Sequence, residues 1–299
     1  MTSLRLEAPA KLNLSLRVVE RRADGYHELD GVMLLIELAD RLRLVPGDGD
    51  LRVTDAAGEP APGVPAQREE NLAWRGLLAG LEGSADDARA RLHLEKHVPV
   101  AAGLGGGSSD AAAAWRLGRR WLGHDEGAGH DEGAGQDELT ALARIGADVP
   151  FFAALTAAAR VRGMGERIDP VDAPPVQEIV LAHPPRGLAT AAVFAAIRPG
   201  DTSAEAATSM DDALSDGGND LWPVARRLAP ALDDLAALMA AAGGRPRLSG
   251  SGPTLFCLTL DGERADGIAR RLERAGVRVT RTRSRSHPAT IEPTDEEDR

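Results

Sequence analysis

Apolar and polar positions alternate in places along "LRLEAPAKLNLSLRVVE", and a second run, "DGVMLLIELADRLRLVPGDGD", ends in a Gly/Asp cluster. Both read as strands closed by a turn. Residues 46–68 are rich in Pro and Gly and form a hairpin region or loop, after which Asn71 caps a helix over "LAWRGLLAGLE". "ARLHLEKHVPV" alternates again and predicts a strand, and "DAAAAWRLGRRWLG" predicts a strong helix free of proline. "QDELTALARIG" resumes the helical pattern before "ADVPFF". Beyond a Gly/Pro-rich boundary at 155–175, a strand ("VQEIVLAHP") and a helix ("TAAVFAAI") lead through a polar connection to helices over "LWPVARRLAPALDDLAALMAAAGG". Strand, helix and strand then close the chain in "PTLFCLTLD", "GERADGIARRLERAG" and "VRVTRTRS", an antiparallel α+β layer. The acidic end "EPTDEEDR" predicts a disordered tail.

Between the third strand and its helix lies "VPVAAGLGGGSSDAAAAW". A flexible linker would place no demand on the segment after it, whereas here a helix begins at once. Its free N–H groups and positive end converge on one point, and glycines let the backbone come close to a ligand. The context therefore favours a phosphate cradle over a linker. It is neither common phosphate loop: no lysine follows the glycines, and Ser108 and Asp110 stand where a dinucleotide fingerprint needs its third glycine.

Composition narrows the rest. At 299 residues the chain accommodates two domains, and a net charge of −11 argues against a nucleic-acid surface. One cysteine, Cys257, excludes an internal disulfide framework and fits a reducing compartment. No signal core or membrane-length apolar run is present, so a cytoplasmic protein is expected, without membrane partner. The tandem repeat "HDEGAGHDEGAG" at 124–135 has metal-ligand side chains, but its Gly/Ala content predicts a solvated insertion rather than a metal site. Of 35 basic residues only Lys11 and Lys96 are lysines. An ammonium can meet a hydroxyl or phosphate oxygen as a compact point charge, which marks both for chemistry rather than surface charge.

"PVAAGLGGGSSDAA" resembles the nucleotide-binding motif of the GHMP kinases, small-molecule kinases with a two-domain α/β (α+β two-layer) fold and an active site in the interdomain cleft. "APAKLNLSL", "RADGYHEL", "GADVPFF", "GMGE" and "LSGSGPTLF" agree in order. The triple glycine before Ser-Ser resembles one branch, whose acceptor is a methylerythritol carrying a cytidine diphosphate group. That resemblance implies ATP-dependent phosphorylation of the acceptor's 2-hydroxyl in the non-mevalonate isoprenoid pathway. It also implies a nucleotide-binding domain over 1–158, a C-terminal domain over 159–290 and a tail over 291–299, in a monomer or weak homodimer.

By the same resemblance, Lys11 and Asp148 are catalytic. ATP is bound by Lys96, Pro99, Val100, Ala101, Ala102, Gly103, Leu104, Gly105, Gly106, Gly107, Ser108 and Ser109. The acceptor is bound by Asn13, Tyr26, His27 and Phe194, the two aromatic rings holding the cytosine and His27 reading its edge. Mg²⁺ is implied by ATP chemistry; no protein ligand set identifies itself, and Ser108 or Ser109 offers one hydroxyl. Plainer readings stand beside these: a turn aspartate at 148, a Tyr-His pair and a phenylalanine packed in the core. Two other functions also fit, a GHMP kinase for another small alcohol and a non-catalytic nucleotide-binding protein.

Overall fold

The computed structural model describes residues 2–23, 25–65, 67–83, 89–124, 134–202 and 209–294. Most of the tandem repeat, 125–133, lies outside them, as do 295–299.

Strand β1 (Ser3–Asn13) pairs antiparallel with the long β3 (His27–Pro46), and β2 (Arg17–Arg21) forms a ribbon with the start of β3. Strand β5 (Ala90–Lys96) lies on the other side of β3's later half, with β4 (Leu51–Asp55) parallel to it at the edge. Strand β6 (Ala158–Gly163) pairs with β3 from Leu29↔Gly163 to Leu34↔Ala158, and β7 (Arg167–Pro170) pairs with β6. The first sheet therefore continues past residue 158, the expected boundary, because β6 completes the hydrogen bonding of β3's first half. Strand β12 (Glu292–Thr294) returns to β1, which corrects the expectation of disorder for these three residues: the free edge of β1 supplies their backbone partners.

The second sheet is antiparallel, in the order β11 (Arg278–Arg283), β8 (Glu178–His183), β10 (Leu255–Thr259), β9 (Arg247–Leu248). Period-two alternation explains how the sheets stack. Ile179 and Leu181 of β8 pack with Phe256 onto Leu12, Leu34 and Ile36 of the first sheet. Val180 and Ala182, on the opposite face, meet Met239 of α8 (Ala231–Ala241) and Ile268 and Leu272 of α9 (Gly262–Arg274). The outer face of the first sheet packs on α1 (Leu72–Gly80), α2 (Gly106–Trp121) and α4 (Val149–Ala153), and α3 (Gln136–Leu142) adds Leu139 and Leu142 to the same core. The order is helices, sheet, sheet, helices. Asn71 caps α1 as its sequence predicts, its side chain accepting from Ala73 N at 2.9 Å.

One irregularity places the functional side chains. Leu4, Leu6 and Ala8 of β1 share a core with α1 and α2, whereas Ala10, Leu12 and Leu14 face the second sheet. Parity is unchanged but the face has switched, because the register slips between Pro9↔Ala39 and Lys11↔Leu35. Lys11 and Asn13, which regular alternation would have turned away from the helices, are thereby turned toward them.

Candidate active site

Lys11 is buried, and its Nζ lies 3.2 Å from Oδ2 of Asp148; the two side chains are 4% and 29% exposed. The same ammonium donates to Oδ1 of Asn13. The cation thus lies beneath a carboxylate that is open to solvent. Asp148 holds the N-cap position of α4 without using its side chain as a cap, so the carboxylate is free for another task. Its turn is fixed from both sides. Val149 N donates to Gly146 O at 3.0 Å, and a Cβ on Gly165 would come within 2.0 Å of Ala147 O, so the "GMGE" segment abuts the base's own loop.

The glycine loop runs over this pair. Val98, Ala102 and Leu104 anchor its back in the core with Ala10, Leu12 and Leu14, while Val100, Ala101 and Gly107 are exposed and Pro99 is half-buried. Lys11 N donates to Leu104 O at 2.9 Å, tying loop to strand. Gly103 and Gly105 take φ of +75° and +72°, the left-handed region that glycine adopts without a Cβ penalty. A Cβ on Gly105 would also come within 3.0 Å of Lys11 Cγ and Cε and of Phe152 Cζ. Helix α2 starts at Gly106 with no side-chain cap, leaving its first N–H groups for a ligand.

The serines divide. Ser109 is buried and donates to Pro9 O at 2.7 Å, a structural bond. Ser108 is partly exposed, and its Oγ lies 3.2 Å from where a Cβ on Gly146 would stand, beside the Asp148 turn. Among the described residues no three His, Cys, Asp or Glu side chains gather as a metal-holding group.

Lys96 has a different setting. Its side chain is 8% exposed, and the ammonium donates to Oδ2 of Asp110 at 2.6 Å and to Oδ2 of Asp40. Burial opposes its charge, but Asp110 and Asp40 outweigh burial and hold its pKa above the ordinary lysine value.

Tyr26 is 64% exposed, which removes the reading of a buried Tyr-His pair. His27 opens β3, and its ring lies 5.3 Å from that of Phe194 on α5 (Thr190–Ala195), the planes tilted by 31°. Burial, and then Arg21 opposite it in the β2–β3 register, lower the His27 pKa, so its imidazole is neutral at pH 7 and can both donate and accept. Phe194 also packs on the small core of Leu16, Val18, Val193 and Leu221.

Residue-type reasoning did not reach the contacts that hold these parts together. The "LSGSGP" loop docks on the glycine loop through Ser249 Oγ donating to Gly103 O at 2.9 Å. A Cβ on Gly250 would come within 3.2 Å of Lys11 Nζ and Asn13 Oδ1. Asn219, in a segment read only as a polar connection, donates to Leu248 O and Gly250 O at 3.0 and 2.8 Å. Asp40, in the middle of an apolar strand, is fully buried. A lone carboxylate in such a run is a signal available in the sequence.

Comparison with known proteins gives the same family from both halves. Residues 71–154 match the GHMP kinases N terminal domain and 194–278 the GHMP kinases C terminal domain. The chain is 37% identical over 291 residues to the 4-diphosphocytidyl-2-C-methyl-D-erythritol kinase of Pelotomaculum thermopropionicum, covering 93% of this chain and 96% of that one. The enzyme of that name from Paracoccus denitrificans is 39% identical over 279 residues, covering 89% and 90%. A crystal structure of 4-(cytidine 5'-diphospho)-2C-methyl-D-erythritol kinase superposes with a TM-score of 0.74 at 35% identity, covering 94% of this chain and 98% of that one. Homoserine kinase from Cytophaga hutchinsonii shares the fold, at a TM-score of 0.67 and 16% identity over 98% of each chain.

Proposed function

The chain belongs to the GHMP kinase family, in the branch of its 4-diphosphocytidyl-2-C-methyl-D-erythritol kinase relatives, and on that premise we propose that it transfers the γ-phosphoryl group of ATP to the 2-hydroxyl of that diphosphocytidyl sugar alcohol. The observation that carries the mechanism is the Lys11–Asp148 pair, buried cation below and open carboxylate above, under a glycine loop. Asp148 accepts the hydroxyl proton as the acceptor oxygen attacks the γ-phosphorus; the bond to the bridging oxygen breaks and ADP leaves. Lys11, held by Asn13, keeps its ammonium at the carboxylate and at the reacting oxygen, where negative charge must be balanced. The uncapped start of α2 and the loop's backbone N–H groups hold the donor phosphates. Mg²⁺, when bound with ATP, would offset the charge of those phosphates, and the partly exposed Ser108 would offer it a hydroxyl.

Tyr26, His27 and Phe194 take the cytosine. Tyr26 offers an exposed ring face, and neutral His27 can accept from the base's amino group. Asn13, two residues from Lys11 on the same strand face, borders the sugar-alcohol end. The test is ADP release with a panel of acceptors: the diphosphocytidyl compound, free methylerythritol, mevalonate and homoserine. Turnover confined to the first supports the assignment, and preference for any other refutes it.

A further inference from the structure

The glycine loop is pinned at both ends by one buried ionic cluster whose members come from three elements. Asp40, from β3, accepts through Oδ1 from the backbone N–H groups of His97 and Val98, the second bond 2.8 Å long. Those two peptides immediately precede Pro99, where the loop opens. Asp40 Oδ2 takes Lys96, from the end of β5, and Lys96 reaches on to Asp110 in α2 at 2.6 Å. Entry and exit of the loop are thus bridged beneath it.

Stability does not account for this arrangement. Two carboxyl groups converge on one ammonium, with side chains 0%, 8% and 4% exposed for Asp40, Lys96 and Asp110, and burial raises the Asp110 pKa well above the ordinary carboxylate value. The second oxygen of Asp110, Oδ1, is buried and has no hydrogen-bond partner. Unpaired buried oxygens and desolvated charges oppose folding, and apolar residues of similar volume often serve stability as well or better. What charged, directional bonds supply is a defined spacing between the pieces they join. The pieces here are the segment entering the loop and the helix whose N-terminus ends it.

We infer that Asp40, Lys96 and Asp110 are positioning residues that clamp the two ends of the Pro99–Ser109 loop and thereby set its grip on the phosphates of the donor nucleotide. The inference rests on the reading that this loop binds ATP. On this reading Lys96, expected to bind ATP directly, acts instead through the loop, because its ammonium is taken up by Asp40 and Asp110. Releasing it lets the start of α2 shift relative to the loop entry, which weakens ATP binding while the Lys11–Asp148 pair and the acceptor pocket stay in place.

Asp110→Ala tests this, since it frees α2 yet leaves the Asp40–Lys96 pair charge-balanced and removes the unpaired oxygen. Loss of one charge-assisted bond predicts a KM for ATP raised about tenfold, with the acceptor KM and kcat at saturating ATP held within about twofold. Asp110→Asn keeps an oxygen for Lys96 and should restore the ATP KM to within about twofold of wild type. Thermal midpoints of both variants complete the comparison. A wild type active on the diphosphocytidyl acceptor, beside an Asp110→Ala enzyme with unchanged ATP KM and only a lowered midpoint, overturns the clamp and assigns the cluster to folding. A wild type that binds no ATP overturns the loop's assignment itself, and does so without any variant.

Discussion

Lys11 Nζ and Asp148 Oδ2 meet at 3.2 Å, one on a strand turned by a register slip and the other at the start of a five-residue helix. The carboxylate does not cap its own helix. It is partly open to solvent, with a buried cation beside it.

Replacing Asp148 by Asn keeps size and hydrogen bonding but removes the proton acceptor. Turnover should fall about 10²- to 10⁴-fold, the usual contribution of a general base. The KM for ATP and the melting temperature should change little, because Asp148 is partly exposed and supports no other bond to its helix. Steady-state kinetics with a thermal scan measures both; kcat near wild type would return Asp148 to a structural role.

Tyr26→Ala should raise the acceptor KM about ten- to a hundredfold, since stacking on a base is worth ~1–3 kcal/mol and each tenfold is 1.4 kcal/mol. Tyr26 is exposed, so stability should be almost untouched. Tyr26→Phe keeps the ring and should be mild. A large loss of stability with an unchanged acceptor KM would contradict the stacking role.

Gly105→Ala attacks Lys11 indirectly. The new methyl would sit 3.0 Å from Lys11 Cγ and Cε in a residue at φ +72°, where an L side chain is strained by roughly 1–2 kcal/mol. Both the melting temperature and kcat should drop, because the ammonium is pushed from Asp148. A variant that loses stability but keeps kcat would show that the site tolerates the shift.

His183 makes stability depend on pH. It is buried between Thr254 and Thr280, with ring nitrogens 3.2 and 3.0 Å from their hydroxyls. Burial, aided by Arg278, lowers its pKa from 6.5 to about 4. Between those values the unfolded chain binds the proton and the folded one does not, so stability is full above pH 6.5 and declines as pH falls toward 4. The difference amounts to on the order of 3 kcal/mol. Urea unfolding from pH 7.5 to 4.5 should show this slope, and His183→Gln should flatten it; an unchanged slope would assign the pH dependence to other groups.

Local pattern sufficed for much of this protein. The apolar strands β8 and β10, the Asn71 cap and the proline-free α2 each depend on neighbours within a few residues, and the structure forms them where the pattern predicts. The glycine loop between a strand and a helix could also be read, because its chemistry is that of backbone and helix end. What the chain could not disclose locally is which face each side chain takes once strands pair. Period two places Lys11 on the face away from the helices, and only the slip between Pro9 and Lys11, set by pairing with β3, turns it toward Asp148. The same holds for Lys96: its rarity marked it, but residue type could not distinguish a cation facing phosphate from one enclosed by Asp40 and Asp110. Those carboxylates arrive from another strand and from the helix beyond the loop, and long-range packing alone decides their meeting. Local sequence sets backbone preference over a few residues, whereas the partner of a charge is chosen by which elements bury their apolar faces together.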